Sequence, residues 1–270
     1  MSNHSFLDII KATKSFCKDI IPMWTLYDTL IDGIPSSLPI TAALRGRWQA
    51  YVETEENAGV ASLLLPWKQA YDRAAVLEQW TGKPLKDLAA RVKSWDGVEA
   101  AMGMAAINAW YNGRRQLENQ KLPLYDPASP AGDVFRELRN FCRGKTVSVV
   151  GHFRGVAALE DCREIRIFER EPQEGDYPDA AEEYLIPGSD VVIVTGMAFT
   201  NKTMPRLMEL AKDSYLALTG PSVPMTEALR SFGVNALYSM TVWDIPGCKQ
   251  AILDGDKKSI WNYVGKTIME

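Results

Sequence analysis

The second half of the chain alternates short apolar runs with amphipathic segments. Five runs rich in valine, isoleucine and leucine predict strands, at 146–150, 164–168, 190–195, 214–218 and 236–242. Helices are predicted around these strands, at 133–142, 155–162, 203–212 and 225–232, with a last one near 257–264. Continuous apolar strands are typical of a parallel sheet covered on both faces. Short strand–helix spacing with right-handed crossovers therefore predicts an α/β fold, a doubly wound, Rossmann-like sheet of at least five parallel strands.

The first half has a different pattern, in which hydrophobic spacing changes from helical to alternating and back. The predicted elements are an amphipathic helix over 22–33, a hairpin with strands at 45–54 and 60–65, and helices over 84–93 and 98–111. The last of these helices is almost free of charge, so we expect it to be buried on most sides. Gly103 weakens that helix relative to alanine, and a close backbone contact is the expected compensation.

A segment with three prolines, residues 118–132, separates the two patterns and predicts a linker. We therefore expect two domains. The first is a smaller α+β domain over 1–117 with an N-terminal extension over 1–22, and the second is the Rossmann-like domain over 133–270.

Composition excludes several classes of partner and site. The net charge is −4 and no lysine/arginine block stands out, so neither a nucleic-acid nor a membrane partner is expected. The four cysteines are far apart along the chain without a CxxC pair, which argues against structural zinc and against a disulfide framework. No apolar run reaches the ~18 residues of a membrane span and no signal-peptide core is visible. The expected location is cytoplasmic, with buried, reduced thiols.

The turn after the first predicted parallel strand is the main candidate for chemistry. In a dinucleotide-binding fingerprint the first glycine makes a tight turn and the second lets the backbone approach a pyrophosphate. Gly151 keeps the first role, but Phe153 occupies the second position, so a pyrophosphate could not lie there in the usual way. His152, one of only two histidines, stands where an α/β sheet binds its ligand.

Small or hydrogen-bonding residues also follow the other strands, and parallel strands bring their carboxyl ends to one edge of a sheet. The candidates at these ends are Gly151, His152, Phe153, Glu169, Asp176, Thr195, Gly196, Asn201, Thr203, Gly220, Pro221 and Ser222. Each has a structural alternative: a helix cap for Thr203, turn geometry for the glycines, a solvated carboxylate for Glu169 and a loop position for His152. Their convergence at one edge favours a binding site.

Several segments resemble the putative heavy-metal-chelation family. They are MWTLYDTLIDGIP (23–35), SWDGVEAAMGMAAINAWYN (94–112), VVGHFRG (149–155), GDYP (175–178) and GPSVP (220–224). That family joins an enolase N-terminal-like domain to a Rossmann-like domain, and the resemblance runs from about Met23 onward. It implies a ligand site in the cleft between the two domains, with heavy-metal or metallocofactor handling as the function. It also brings Glu99, Gly103 and Asn108 of the nearly uncharged helix over 98–111 toward the strand ends, where the alternatives are a dipole interaction for Glu99 and a structural tie for Asn108.

The expected chemistry centres on an imidazole beside carboxylates. We expect His152 and Glu169 as the catalytic or ligand-contacting pair, and His152, Glu169 and Asp176 as metal ligands. A neutral imidazole is the commonest protein metal ligand, and an adjacent carboxylate can fix its tautomer. Asn108, Thr195 and Asn201 would orient the organic part of a ligand. The expected cofactor is a divalent heavy metal or a metal–tetrapyrrole or corrinoid complex.

Three functions stay open at this point. The first is binding of a small molecule or metal complex in the interdomain cleft, with or without catalysis. The second is a nucleotide- or S-adenosylmethionine-dependent enzyme in which Glu169 contacts ribose hydroxyls. The third is a non-catalytic assembly protein, and a homo-oligomer is compatible with all three. Because His4 and His152 are the only histidines, a multi-histidine metal cage within one chain is excluded.

Overall fold

The computed structural model describes residues 23–63, 73–255 and 259–270. The predicted extension over 1–22 and the end of the predicted hairpin, residues 64–65, lie outside the described residues. The described residues form one sheet of four strands and one of eight. None of the helices within the described ranges is both long and apolar enough to cross a membrane.

The small sheet and its helices come from the first half of the chain. Its elements are helix α1 (Met23–Asp32), strands β1 (Ala42–Arg45), β2 (Gln49–Glu53), β3 (Ala58–Ser62) and β4 (Ala75–Val76), and helices α2 (Leu85–Ala89) and α3 (Gly97–Tyr111). The strands are antiparallel in the order β3-β2-β1-β4. The predicted first helix, hairpin and two later helices are confirmed, whereas β1 and β4 were not predicted. A 3₁₀ turn, Ala90–Lys93, follows α2.

Helix α3 is the central element of this part of the chain. It begins where the Asp96 carboxylate accepts hydrogen bonds from the backbone N–H groups of Val98 and Glu99, both 2.9 Å long. Ten consecutive residues, 100–109, are buried, which confirms the prediction from its lack of charge. Gly103 is pressed against the 3₁₀ turn, because an added Cβ would lie 2.7 Å from the Val92 Cα. The expected close backbone contact of Gly103 is therefore confirmed.

The large sheet comes from the second half of the chain and is mostly parallel. Its strands are β5 (Leu124–Tyr125), β6 (Thr146–Val150), β7 (Glu164–Glu169), β8 (Tyr177–Pro178), β9 (Val191–Thr195), β10 (Tyr215–Thr219), β11 (Ala236–Val242) and β12 (Val264–Met269). The helices around them are α4 (Arg114–Asn119), α5 (Val134–Glu137), α6 (Arg139–Cys142), α7 (Glu182–Leu185), α8 (Met197–Thr200), α9 (Met204–Leu210) and α10 (Ile245–Asp254). The spatial order is β5-β12-β11-β10-β9-β6-β7-β8.

Six strands of this sheet are parallel neighbours, and their order identifies the type of sheet. Numbered along the chain, β6 to β11 lie in the order 3-2-1-4-5-6, which is that of doubly wound nucleotide-binding sheets. Apolar clusters cover both faces, one shared with α1 and α3 and the other with α5 and α6. The predicted α/β fold class, a mostly parallel sheet preceded by a smaller α+β part, is confirmed.

Three differences from the predicted elements lie near the end of the chain and in the linker. Helix α10 was not predicted, although Asp244 caps it by accepting a hydrogen bond from the Gly247 N–H, 2.9 Å long. Residues 259–263 form a 3₁₀ turn rather than part of a helix, and the antiparallel strand β12 follows. The predicted linker contains β5, in which Tyr125 pairs with Lys266 of β12. These pairings use backbone groups, which hydropathy patterns do not report.

Candidate functional site

The candidate site lies at the carboxyl edge of the large sheet, where β6 and β9 are neighbours and the strand order reverses. This reversal is the position at which open α/β sheets bind ligands. Gly151 follows β6 with φ +104°, a conformation that favours glycine. An added Cβ would lie 3.0 Å from the Phe153 ring and 3.2 Å from the Cβ of Thr195. Glycine is therefore required at this turn both by its conformation and by its neighbours.

His152 is held by the two carboxylates that the sequence analysis placed beside it. Its Nδ1 lies 2.9 Å from Asp176 Oδ2, and its backbone N–H donates to Glu169 Oε2 over 3.0 Å. The Asp176 side chain is 2% exposed and the His152 side chain 34%. A buried carboxylate that accepts from Nδ1–H leaves Nε2 of the neutral ring with a free lone pair. The imidazole is thus oriented, one-third exposed to solvent and able to bind a metal through Nε2.

The two carboxylates themselves are largely occupied by backbone donors. Glu169 Oε1 accepts from the Arg170 N–H over 2.8 Å, and Asp176 Oδ2 also accepts from the Gln173 N–H over 3.0 Å. Within the described part of the chain, no three His, Cys, Asp or Glu side chains are grouped so that they could hold a metal ion. The structure brings His152, Glu169 and Asp176 together, and their geometry is that of an oriented imidazole rather than a three-ligand cage.

Glu182, at the start of α7, is a third acidic residue near this site that the sequence analysis missed. Burial raises its pKa to about 7, and the negative charges of Asp179, Glu183 and Glu169 act in the same direction. Arg170 opposes the shift. A carboxyl group that titrates near neutral pH can donate or accept a proton under physiological conditions. The only local signal for it is the pair of acidic residues that opens the helix after GDYP.

Asn108 joins α3 to the same edge of the sheet. Its Nδ2 donates to the carbonyl oxygens of Val60, over 2.8 Å, and Pro221, over 2.9 Å. Pro221 lies in the turn after β10, and the same turn packs on Gly196, where an added Cβ would lie 2.8 Å from the Ser222 carbonyl carbon. Ser222 Oγ in turn accepts from the Ser62 N–H over 3.0 Å. The first half of the chain therefore contacts the carboxyl edge through Asn108, as the sequence analysis expected.

One polar atom of Asn108 is unusual. The residue is 1% exposed, and its Oδ1 has no hydrogen-bond partner among the residues that the structure describes. Buried amide oxygens are nearly always paired, because a lost hydrogen bond to a buried acceptor costs about 1–3 kcal/mol. An acceptor of this kind beside a strand-end turn suits an N–H or O–H group of a ligand.

Other predicted site residues have structural partners instead. Glu99 pairs with Arg91 at 3.8 Å on the surface, and Gly103 packs on the 3₁₀ turn before α3. Asn201 Oδ1 accepts from the N–H and hydroxyl of Thr203, over 3.0 and 2.7 Å, which stabilises the turn before α9. Phe153 packs on Phe135 with ring centroids 5.4 Å apart.

The turns after β9 and β10 are built in the same way. Thr195 Oγ1 accepts from the Met197 N–H over 3.3 Å, and Gly220 adopts φ +111°. The hydrogen bond accounts for the threonine at 195, and the positive φ accounts for the glycine at 220, so neither residue type requires a ligand.

Lys202 is a second residue that the sequence analysis missed. It has φ +71°, its Nζ donates to the Thr200 carbonyl over 2.6 Å, and the residue is 9% exposed. Within the described ranges no carboxylate lies at ion-pair distance from this amine, while the Trp95 ring lies 6.0 Å away. Burial lowers the pKa of Lys202 to about 8. An amine that loses its proton this easily, at the end of the segment that follows β9, has the properties of a functional group.

We expect Lys202→Met to stabilise the protein by about 2 kcal/mol at pH 7. The folded protein holds the charged amine in an unfavourable place, whereas the unfolded chain keeps the ordinary pKa of 10.5. Wild-type stability should therefore rise with pH between about 8 and 10.5, since the unfolded state binds more protons there. The advantage of the variant should disappear across that window, as measured by urea unfolding at several pH values. A constant difference at all pH values would contradict a charge effect, and exposed Lys212→Met serves as the control.

The fold and this edge define a protein in which a small antiparallel sheet and its helices precede, and contact, a doubly wound α/β sheet. The chain belongs to a family described as putative heavy-metal chelation. One model with that description matches residues 133–269, and a second matches residues 27–111. The resemblance drawn from the sequence is therefore confirmed, and the family supports metal binding as the general function.

Relatives and solved structures agree with this assignment. An uncharacterized protein of Methanocaldococcus jannaschii is 26% identical over 208 residues, which cover 73% of this chain and 76% of that protein. A crystal structure of a family member of unknown function from Desulfitobacterium hafniense has a TM-score of 0.80 at 29% identity, covering 92% of this chain and 98% of the other. A second, from Pyrococcus horikoshii, has a TM-score of 0.74 at 22% identity, covering 92% and 99%. The second likeness concerns the fold alone.

Proposed function

We propose that this protein binds a small metal complex at the carboxyl edge of the large sheet, with His152 Nε2 as the protein's ligand to the metal. The observation that carries this proposal is the 2.9 Å contact between His152 Nδ1 and the buried Asp176 carboxylate. Metal-ligating histidines almost always donate their other ring N–H to such a group, which fixes the tautomer and the orientation of the ring. His152 has this arrangement and remains one-third exposed.

The donor set favours a complexed metal over a bare ion. Both oxygens of Glu169 accept from backbone N–H groups, and Asp176 Oδ2 accepts from the Gln173 N–H and faces the imidazole. The Asp176 side chain is 2% exposed and that of His152 34%, so the imidazole is the donor that the site offers most freely. A metal already coordinated in the plane of a tetrapyrrole or corrinoid needs only one or two further ligands. The oriented imidazole of His152 would supply one of these ligands. When bound, the metal would supply Lewis-acid or redox chemistry, while the protein would hold and orient it.

We also propose that the ligand lies between two domains, a Rossmann-like one and an enolase N-terminal-like one. The support is Asn108 of α3, which bonds to Pro221 at the sheet edge and keeps a buried Oδ1 without a partner among the described residues. A ligand N–H or O–H group donating to this oxygen would satisfy it. Small-molecule sites commonly occur between domains, lined by a few well-placed polar groups.

Binding of aquacobinamide and of iron protoporphyrin, followed by their visible absorption spectra, tests the proposal. Wild type should change the spectrum of at least one of them, and a ligand at 100-fold its dissociation constant should stabilise the fold by about 2.7 kcal/mol. His152→Ala should abolish the spectral change while the free protein unfolds at nearly the same temperature. Asp176→Asn should weaken binding about 10- to 100-fold, because it loses the group that orients the ring.

His4→Ala is the matched control, since it removes the other histidine of the chain. It should bind like wild type. If His152→Ala binds both probes as wild type does, or if wild type binds neither, His152 is not a ligand to the metal and the proposal fails.

A nucleotide-derived cosubstrate is the second candidate, and one observation favours it. Glu169 ends the second parallel strand of a sheet with order 3-2-1-4-5-6, where related sheets place an acidic residue on ribose hydroxyls. S-adenosylmethionine fits better than a dinucleotide, because it lacks the pyrophosphate that Phe153 would obstruct. Thermal stabilisation by S-adenosylmethionine that is lost in Glu169→Ala but kept in His152→Ala would favour this function over the first.

A further inference from the structure

Cys142 and Cys162 are separated by 20 positions in the sequence but are neighbours in the fold. Cys142 ends α6 and is fully buried, and Cys162 precedes β7 and is half-buried. Each thiol lies near enough to the other to affect its pKa, and Cys162 packs against the apolar cluster that contains Cys142. Both residues belong to the apolar cluster under α5 and α6. They lie before β6 and β7, at the amino edge of the sheet, and so on the opposite side from His152.

Backbone hydrogen bonds fix the two segments that carry the thiols. The Gly144 N–H donates to the Asp161 carbonyl, and the Arg163 N–H donates to the Lys145 carbonyl, each over 2.9 Å. These bonds bracket Cys162 on one segment and lie just after Cys142 on the other. The backbone therefore holds the two cysteine-bearing segments side by side. A ligand that bridges the two thiols would lose little entropy in ordering them.

The charges around the pair suit an anionic metal–thiolate complex. Burial keeps both cysteines as neutral thiols, raising the pKa of Cys142 to about 12, and Lys145 acts against this shift. Burial and the negative charge of Asp161 both raise the pKa of Cys162. The Asp161 carboxylate is itself paired with Arg139 and Arg143, at 3.6 and 3.4 Å. Lys145 lies near Cys142, and the charge of Asp161 is offset by two arginines, so a complex with one negative charge would be stabilised here.

We propose that Cys142 and Cys162 form a second metal site, a two-thiolate chelate for a soft monovalent d¹⁰ cation such as Cu(I). Thiolates select soft cations of this class, and two of them satisfy a cation of low coordination number. Both thiols lose a proton, two Cys–S–Cu bonds form, and the product is a bis-thiolate complex of charge −1 with two protons released. The oxidation state of the metal does not change, so no oxidant is needed. This site is independent of the cleft ligand.

Competition for Cu(I) against bicinchoninate, followed by the loss of its colour under inert gas, tests the site. A Cys17→Ser protein should withdraw one equivalent of Cu(I). In that background, Cys142→Ser and Cys162→Ser should each weaken the competition about tenfold or more. Bound Cu(I) should also slow alkylation of Cys162, as measured by mass spectrometry. His152→Ala should have no effect, which separates this proposal from the proposed function.

Cys248→Ser is the matched control, because Cys248 is buried and lies in a different apolar cluster. It should leave the competition unchanged. Cys162 is only half-buried, so its serine variant should fold, as checked by thermal unfolding. Equal Cu(I) withdrawal by Cys162→Ser and the Cys17→Ser protein, or no withdrawal by the latter, would overturn the two-thiolate site.

Discussion

Asn112→Ala is expected to lower the free energy of unfolding by about 4 kcal/mol. Asn112 is 2% exposed and follows α3 directly. Its Nδ2 is shared among the Val223 carbonyl, Ser239 Oγ and the Met240 carbonyl, at 3.0, 3.0 and 3.1 Å. Its Oδ1 accepts from the Met225 N–H over 2.8 Å. Alanine would leave the Met225 N–H without this acceptor and would remove the amide donor from the Val223 and Met240 carbonyls and from Ser239, and each buried group left unsatisfied costs about 1–3 kcal/mol. Ser239 Oγ would still donate to the Val223 carbonyl over 2.6 Å.

Urea unfolding followed by circular dichroism measures this effect, and Asn119→Ala is the matched control. Asn119 is exposed near the end of α4, so its replacement should change stability by about 0.5 kcal/mol or less. Asn112 joins α3 to the turn after β10 and to β11, and its loss should also weaken ligand binding at the carboxyl edge. If Asn112→Ala were no more destabilising than Asn119→Ala, this amide would not be a principal tie between the two sheets.

Gly59→Ala is expected to destabilise the protein by about 3 kcal/mol. Gly59 lies in β3 directly under α3, and an added Cβ would lie 2.6 Å from the carbonyl carbon of Asn108. It would also clash with the amide nitrogen of Ala109 and the carbonyl oxygen of Ala105. All three atoms belong to the backbone of a buried helix, so the helix itself must move. That movement would displace the Asn108 side chain from Val60 and Pro221.

Gly188→Ala separates this clash from a general effect of replacing glycine. Its added Cβ would come no closer than 4.0 Å to a neighbouring atom, Arg166 Nη1. Its stability should therefore stay within about 0.5 kcal/mol of wild type in the same denaturation experiment. A Gly59→Ala protein as stable as Gly188→Ala would mean that α3 and β3 can separate at little cost.

Most of the large sheet could be predicted, because its central strands are buried on both faces. Burial on both faces requires continuous apolar runs, and these are visible at 146–150 and 191–195 without any tertiary information. Strand β12 was missed because it pairs antiparallel at the side of the sheet and alternates between buried and half-buried positions. Helix α10 was missed despite its Asp244 cap.

The grouping of His152, Glu169 and Asp176 was predicted from the sequence, whereas Glu182 and Lys202 were missed. His152, Glu169 and Asp176 follow β6 and β7, and parallel strands necessarily bring their carboxyl ends to one edge. Glu99 and Gly103 were assigned to the edge by resemblance, but Arg91 and Val92 are their contacts.

The sequence by itself determined the fold class, the helix that must be buried and the edge of the sheet where polar groups collect. These features depend on periodicity and on strand direction, which local residue order encodes. Only the tertiary structure decided that both polar atoms of the Asn112 side chain are hydrogen-bonded and that Cys142 and Cys162 share one apolar cluster. It also decided that Lys202 is buried with no carboxylate of the described residues at ion-pair distance. The physical reason is that burial and contact are properties of segments distant in the chain, and the sequence carries no local signal of which segments will meet.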